Sequence, residues 1–300
     1  MAWQSKLAAA LMRWLPEIPA DAVLLPETTA DILVQPKPAL YLSKTALATA
    51  DTALMALMQE TAHLGRLSLE LIAHAAQIPS WKLYDDAAAE IELQNGHEAP
   101  SSLPTTDDLY RVYIKGVYGE LLNFMGRFRQ PLTAQQKIWW NSIPIVVMHL
   151  MDAVKDANEL QRNMARFLHS DDDQAKKRYQ DLRRHLKDLL REALHLWRPQ
   201  HYSAAAWAQY LHTWEAHNQA FIYDFRQQVL DAIAAGQING WLGGSMLNDL
   251  SCLVRITRSL DKAMAFTDKH GELILPQYIE IIYHLTQEPK HQQAISVRQS

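Results

Sequence analysis

Four residues on one stretch of the chain could do chemistry together: His149, Asp152, Asp156 and Glu159. Read as a helix, their spacings stack them on one face. Carboxylates stacked this way repel unless something positive lies among them. Three arrangements answer that: a divalent cation, an arginine or lysine from a neighbouring helix, or water over a solvated acidic face. A second group, Asn248, Asp249, Arg255 and Arg258, follows downstream. There Asp249 is expected to pair with a basic residue across the bundle rather than act as a ligand. A third group is basic: Lys176, Lys177, Arg178, Arg183, Arg184 and Lys187. It reads either as a solvated helix face or as a contact for an acidic partner or lipid headgroup. Lys177, Arg183 and Arg184 are the candidates for that contact.

Two Glu-x-x-His pairs, Glu60 with His63 and Glu192 with His195, match the pairs of carboxylate-bridged di-iron bundles. Such ligands must point inward. The apolar stripe through Leu57, Thr61 and Leu64 instead places His63 away from the buried side. No Gly-x-Ser-x-Gly, P-loop or Gly-rich dinucleotide fingerprint is present. Cys252 falls on the apolar side of its helix and reads as core. The aromatic residues recur at helical spacing and read as packing. A non-enzymatic role is therefore expected.

The elements that must position these groups are helical. Ten glycines in 300 residues are about 3%, against roughly 7% in an average chain, which argues against a turn-rich β fold. Hydrophobic residues make up 48%, enough for a sizeable core. The formal net charge of -4 argues against a general nucleic-acid binder. A single cysteine excludes an internal disulfide and fits a reducing compartment. The longest apolar run, Ile143 to Met151, is half the length of a membrane span and contains Pro144. Arg13, Pro16 and Glu17 cut short the apolar run Leu7–Met12, which argues against a signal peptide.

Six long helices are expected. The first follows a 3,4 spacing through Leu47, Ala50, Leu54, Leu57, Thr61, Leu64, Ser68, Leu71, Ala75 and Ile78, burying one narrow stripe, and Pro79 ends it. The second, opened by a Thr105/Asp108 capping box, carries Leu109, Val112, Val117, Leu121, Phe124 and Phe128. The third, opened by Thr133 and Gln136, runs to about His169 and is apolar on every side from Ile143 to Leu150, which places it centrally. Ser170 with Asp173 caps a fourth, stopped by Pro199. Ser203 caps a fifth, ending at Gly236, and a sixth follows Gly240. Short loops imply antiparallel neighbours. The layout reads as a Pro-rich, juxtamembrane-like lead-in (1–38), a first three-helix bundle (39–169), a second (170–268) and a polar C-terminal tail (269–300).

The string from His149 to Glu159 resembles the third-helix motif of PhoU-type phosphate uptake regulators, with Asp152 and Asp156 in its two acidic positions. Gly243 to Leu250, leading into Arg255–Arg258, resembles the last helix of the same domain. Lys37 to Leu47 is similar to the segment that joins the final membrane helix of sodium/phosphate cotransporters to their cytosolic PhoU-like domain, which would put Leu7–Trp14 at the membrane junction. The resemblance implies an all-α fold of two three-helix halves. It also implies a regulatory role in phosphate uptake, in the cytoplasm or at the inner face of the membrane. The partners implied are a transporter membrane domain, a phosphate-signalling protein, the membrane surface or a second copy of the chain. Some members of the family hold iron or zinc, so iron, zinc or magnesium is the implied metal. The candidate ligands are His149, Asp152, Asp156 and Glu159, with Asn248 and Asp249 from the second half. Cys252 and Leu253 stand where that half would carry a further carboxylate.

Overall fold

Proline and glycine punctuate the chain, and the helices lie between them. The computed structural model describes residues 39–83, 105–197, 203–267, 274–277 and 279. The expectations for 1–38, for Pro199 and for most of the 269–300 tail lie outside the described residues. Seven α-helices lie wholly within the described residues: α1 Ala50–Ala75, α2 Thr106–Leu109, α3 Gly116–Arg127, α4 Ala134–Leu168, α5 Asp173–Leu196, α6 Ala204–Ala234 and α7 Gly240–Met264. No strand occurs among the described residues, so the chain is all-α.

The count exceeds the six expected because α2 and α3 are separate α-helical segments joined by a π-turn, Tyr110–Lys115. A π-turn bonds five residues apart. The apolar series there steps by five between Val112 and Val117, where an α-helix would step by three or four. The first helix is also broken. A 3-10 turn, Thr45–Ala48, precedes Thr49, whose extended backbone (φ -134°, ψ 162°) caps α1.

The other boundaries follow local chemistry. Thr105 with Asp108 and Thr133 with Gln136 form the expected capping boxes. Ser203 caps α6 through the Ala206 amide, and Asn239 caps α7 through that of Leu242. At α5 the cap is Asp172, not Ser170. The Asp172 carboxylate accepts from the Gln174 and Ala175 amides, and Ser170 supports it by accepting the Asp172 amide. α1 and α6 close alike. Gln77 (φ 56°) and Gly236 (φ 68°) turn left-handed. The next amides then reach back to the carbonyls of Ala73 and Ala232.

α4 packs along both α1 and α7, and its contact with α7 is the most extensive between any two helices. Its apolar stretch is not enclosed on all sides, as a central helix would be: Ile145 and Met148 are exposed. Pro144 also removes one donor from its helical ladder. α1 is buried more widely than one stripe. Ala53, Ala56, Met58, Leu69, Ile72 and Ala73 are enclosed along with Leu54, Leu57, Leu64 and Leu71. Ile274, Leu275 and Ile279, within the expected tail, are buried too. Gln277 accepts a hydrogen bond from Trp139 Nε1 at 2.8 Å, tying that segment to the start of α4.

α1 approaches the end of α5 where Gly65 meets the fully buried Trp197. A Cβ at Gly65 would lie 2.4 Å from the indole ring. At Gly119 on α3 a Cβ would meet nothing within 4 Å. The same substitution should therefore act with opposite sign. Gly65→Ala should destabilise by about 1–3 kcal/mol through overpacking. Gly119→Ala should stabilise by up to about 1 kcal/mol through helix propensity. Urea denaturation of both variants checks this, and equal effects would refute the close approach.

Candidate functional site

The polar groups collect where α4, α5 and α7 meet. Asp249 of α7 is almost fully buried. Its carboxylate accepts two hydrogen bonds from Asn163 Nδ2 of α4, at 2.9 and 3.1 Å. It accepts a third, very short one from the Tyr179 hydroxyl of α5. Tyr179 stacks on Phe167 of α4 with ring centroids 4.7 Å apart. Asp249 thus pairs with neutral donors, not with the basic residue expected. Burial raises its pKa, and the hydrogen bonds from Tyr179 and Asn163 offset that only in part. Burial and the neighbouring carboxylate also push the Tyr179 phenol well up, so it remains a donor.

The positive partner belongs to the acidic stripe instead. Arg255 of α7 donates Nε to Asp156 at 2.7 Å and Nη2 to Glu159, bridging the α4–α7 seam. Cys252 Sγ lies 3.3 Å from the same guanidinium and 3.7 Å from Glu159. Burial pushes its thiol pKa up to about 11. Asp152 pairs with Lys155 of its own helix at 3.2 Å. Burial first, and then Lys262, lower the His149 pKa, and Asp152 offsets this only in part. Asn248 and Arg258 are exposed and do not join the seam.

As arranged, the three stripe carboxylates do not fit a divalent cation, because each already shares its charge with a lysine or arginine. Among the described residues no group of three or more His, Cys, Asp or Glu side chains converges as metal ligands would.

The Glu-x-x-His pairs also sit differently from expectation. His63 is buried, not turned away. Its Nδ1 is 2.8 Å from the fully buried Glu60, whose second oxygen accepts the Tyr41 amide at 2.9 Å. Burial here wraps α1 on more than its apolar stripe. Glu192 faces His217 of α6 at 3.8 Å, while His195 is exposed. A further polar link went unread in the sequence. His185 of α5 stacks on Phe221 and bonds Asn218 of α6, which donates to Thr257 of α7 at 2.9 Å. Burial lowers the His185 pKa to about 4, so the ring is neutral at physiological pH.

The basic cluster divides. Arg178 turns to Gln228 of α6, with Nη1 2.7 Å from its side-chain oxygen. Lys176 and Lys177 are exposed. Arg183, Arg184 and Lys187 face the turn that follows α1, across a cleft of about 210 Å³.

Two outcomes follow from this geometry. Asp249 has a folded pKa above the roughly 3.9 of a free carboxyl. The stability this group contributes is fully present below the unfolded pKa and is lost as pH rises through the folded one. Relative to Asp249→Asn, which cannot titrate, the wild type should therefore lose stability as pH rises from about 4 through the raised folded value. Urea denaturation at a series of pH values reads this, and a pH-independent difference would refute it. For the seam, Arg255→Gln should cost on the order of 1 kcal/mol at low salt and less at high salt, because Arg255 and Glu159 are substantially exposed. A chelator should leave the wild-type melting temperature unchanged, and a fall on chelation would restore the metal reading. No family model matches the chain, and neither a curated protein nor a solved structure shows significant similarity to it.

Proposed function

We propose that this chain is a PhoU-like regulatory and interaction domain of a phosphate uptake system, and that it is not an enzyme. The reading places it as the cytosolic part of a sodium/phosphate cotransporter, at the inner face of the membrane. Its alternative form is a free-standing regulator that binds a transporter or sensor kinase in trans. The finer architecture belongs to the same proposal: one three-helix bundle within 39–169 and a second within 170–268.

One observation carries the reading. The two strings that resemble the PhoU-type motifs, His149 to Glu159 and Gly243 to Arg258, lie on the two helices with the most extensive mutual contact. They face each other through Asp156, Glu159 and Arg255. A helical domain of this kind acts by binding one state of a partner more tightly than another, which needs only differential affinity. Lys177, Arg183 and Arg184 supply a basic face for acidic transporter loops or anionic headgroups, and such contacts weaken with salt.

Removal of the gene from its source cell should change uptake of radiolabelled phosphate. Restoring it with Lys177→Glu, Arg183→Glu and Arg184→Glu combined should leave uptake altered and release the protein from the membrane fraction. Unchanged uptake after removal would overturn the proposal. Several apolar segments upstream in the same reading frame would favour the cotransporter form over the free-standing one.

A further inference from the structure

Beyond the uptake reading stands the cleft between the turn after α1 and the exposed side of α5, which shares Arg183 and Arg184 with the basic face of that reading. Gln77 and Lys82 form one wall, and Gln180, Arg183, Arg184 and Lys187 the other. Four cationic side chains and two carboxamides line it, with no carboxylate among the described residues that do. Two carboxylates outside the lining answer part of this charge: Asp181 pairs with Arg184 at 2.9 Å and Asp188 with Lys187 at 3.2 Å. Both pairs are partly exposed, which limits what each contributes. No described carboxylate pairs with Arg183, which is half-buried.

This concentration of charge sits on a chain whose net charge is -4, so it is local rather than an overall excess. Arg183 and Lys187 are also four residues apart on one helix, where like charges repel. An anion between them would relieve that repulsion. Guanidinium groups match the oxygens of a phosphate in paired hydrogen bonds, and the carboxamides of Gln77 and Gln180 add neutral donors. The cleft, at about 210 Å³, lies below the roughly 300 Å³ at which sites for whole drug-sized ligands begin. It has room for a charged terminal group, with any organic remainder outside.

We propose that this cleft binds a phosphomonoester or diphosphate group. Two sources share that chemistry, a free phosphorylated anion and the headgroup of a phosphomonoester lipid. Two probes separate them: inorganic pyrophosphate, followed by isothermal titration calorimetry, and phosphatidylcholine vesicles containing phosphatidic acid, followed by sedimentation. Arg183→Gln and Lys82→Gln remove a cation from opposite walls. Lys137→Gln removes one at the exposed start of α4, outside the lining. Thermal melts establish that each variant is folded.

Saturable binding of pyrophosphate is expected. Each cleft variant should weaken it roughly tenfold, the equivalent of about 1.4 kcal/mol, while Lys137→Gln leaves it unchanged. Binding of the vesicles alone, with the same order of variants, would assign the site to a lipid headgroup. Binding of neither probe, or equal losses in all three variants, would overturn the proposal. Phosphate uptake does not enter this measurement, so its failure leaves the regulatory reading standing, and the reverse also holds.

Discussion

A buried carboxylate is the constraint on which the helix arrangement turns. Asp249 gives up water almost completely, and an ion in that position is costly unless its oxygens are met by donors. The donors come from two other helices, Asn163 on α4 and Tyr179 on α5. Both side chains reach only a short way, so α7 can neither slide nor rotate much without leaving the carboxylate bare. Arg255, further along α7, closes on Asp156 and Glu159 and sets the same register from the solvent side. Apolar packing alone tolerates several registers of two long helices, whereas this pair of polar contacts accepts one.

The charged groups sort by depth. Asp249 lies inside and is met by neutral hydrogen bonds. Asp156 lies at the margin and is met by a guanidinium. Glu159 lies outside, mostly exposed, and meets the other arm of that guanidinium. Each carboxylate takes the partner that its desolvation demands. The His185–Asn218–Thr257 chain ties α5, α6 and α7 by the same logic without any formal charge.

Local structure was legible in the sequence because local chemistry decides it. Thr105, Thr133 and Ser203 announce helix starts, and Gly236 announces a stop. The first helix stops at Ala75, short of the Pro79 expected to end it, because Gln77 adopts the left-handed turn that glycine usually supplies. Ser170 misled for a similar reason. Two potential caps stood two residues apart, and the carboxylate of Asp172 took the helix. The partners across the seam were not legible. Asn163 and Tyr179 lie 86 and 70 residues from Asp249, and nothing in either type or its spacing marks the meeting. The acidic stripe itself was visible and so was its need for a positive neighbour. Which neighbour answered depended on the rotation of α7, which places Arg255 toward α4 and leaves Arg258 in solvent. His63 is buried although it lies off the apolar stripe, because α1 is enclosed on more than one side.

Cys252 is the sole thiol of the chain, sealed 1% exposed behind the Arg255 bridge. With its pKa near 11, almost none of it is thiolate at neutral pH even when a reagent arrives. Alkylation must therefore wait for α4 and α7 to part. The labelling rate becomes a clock for that local opening, read without any added probe, on the slow timescale where sub-global unfolding occurs. Any molecule that clamps or loosens this seam would announce itself as a change in the lifetime of one sulfur.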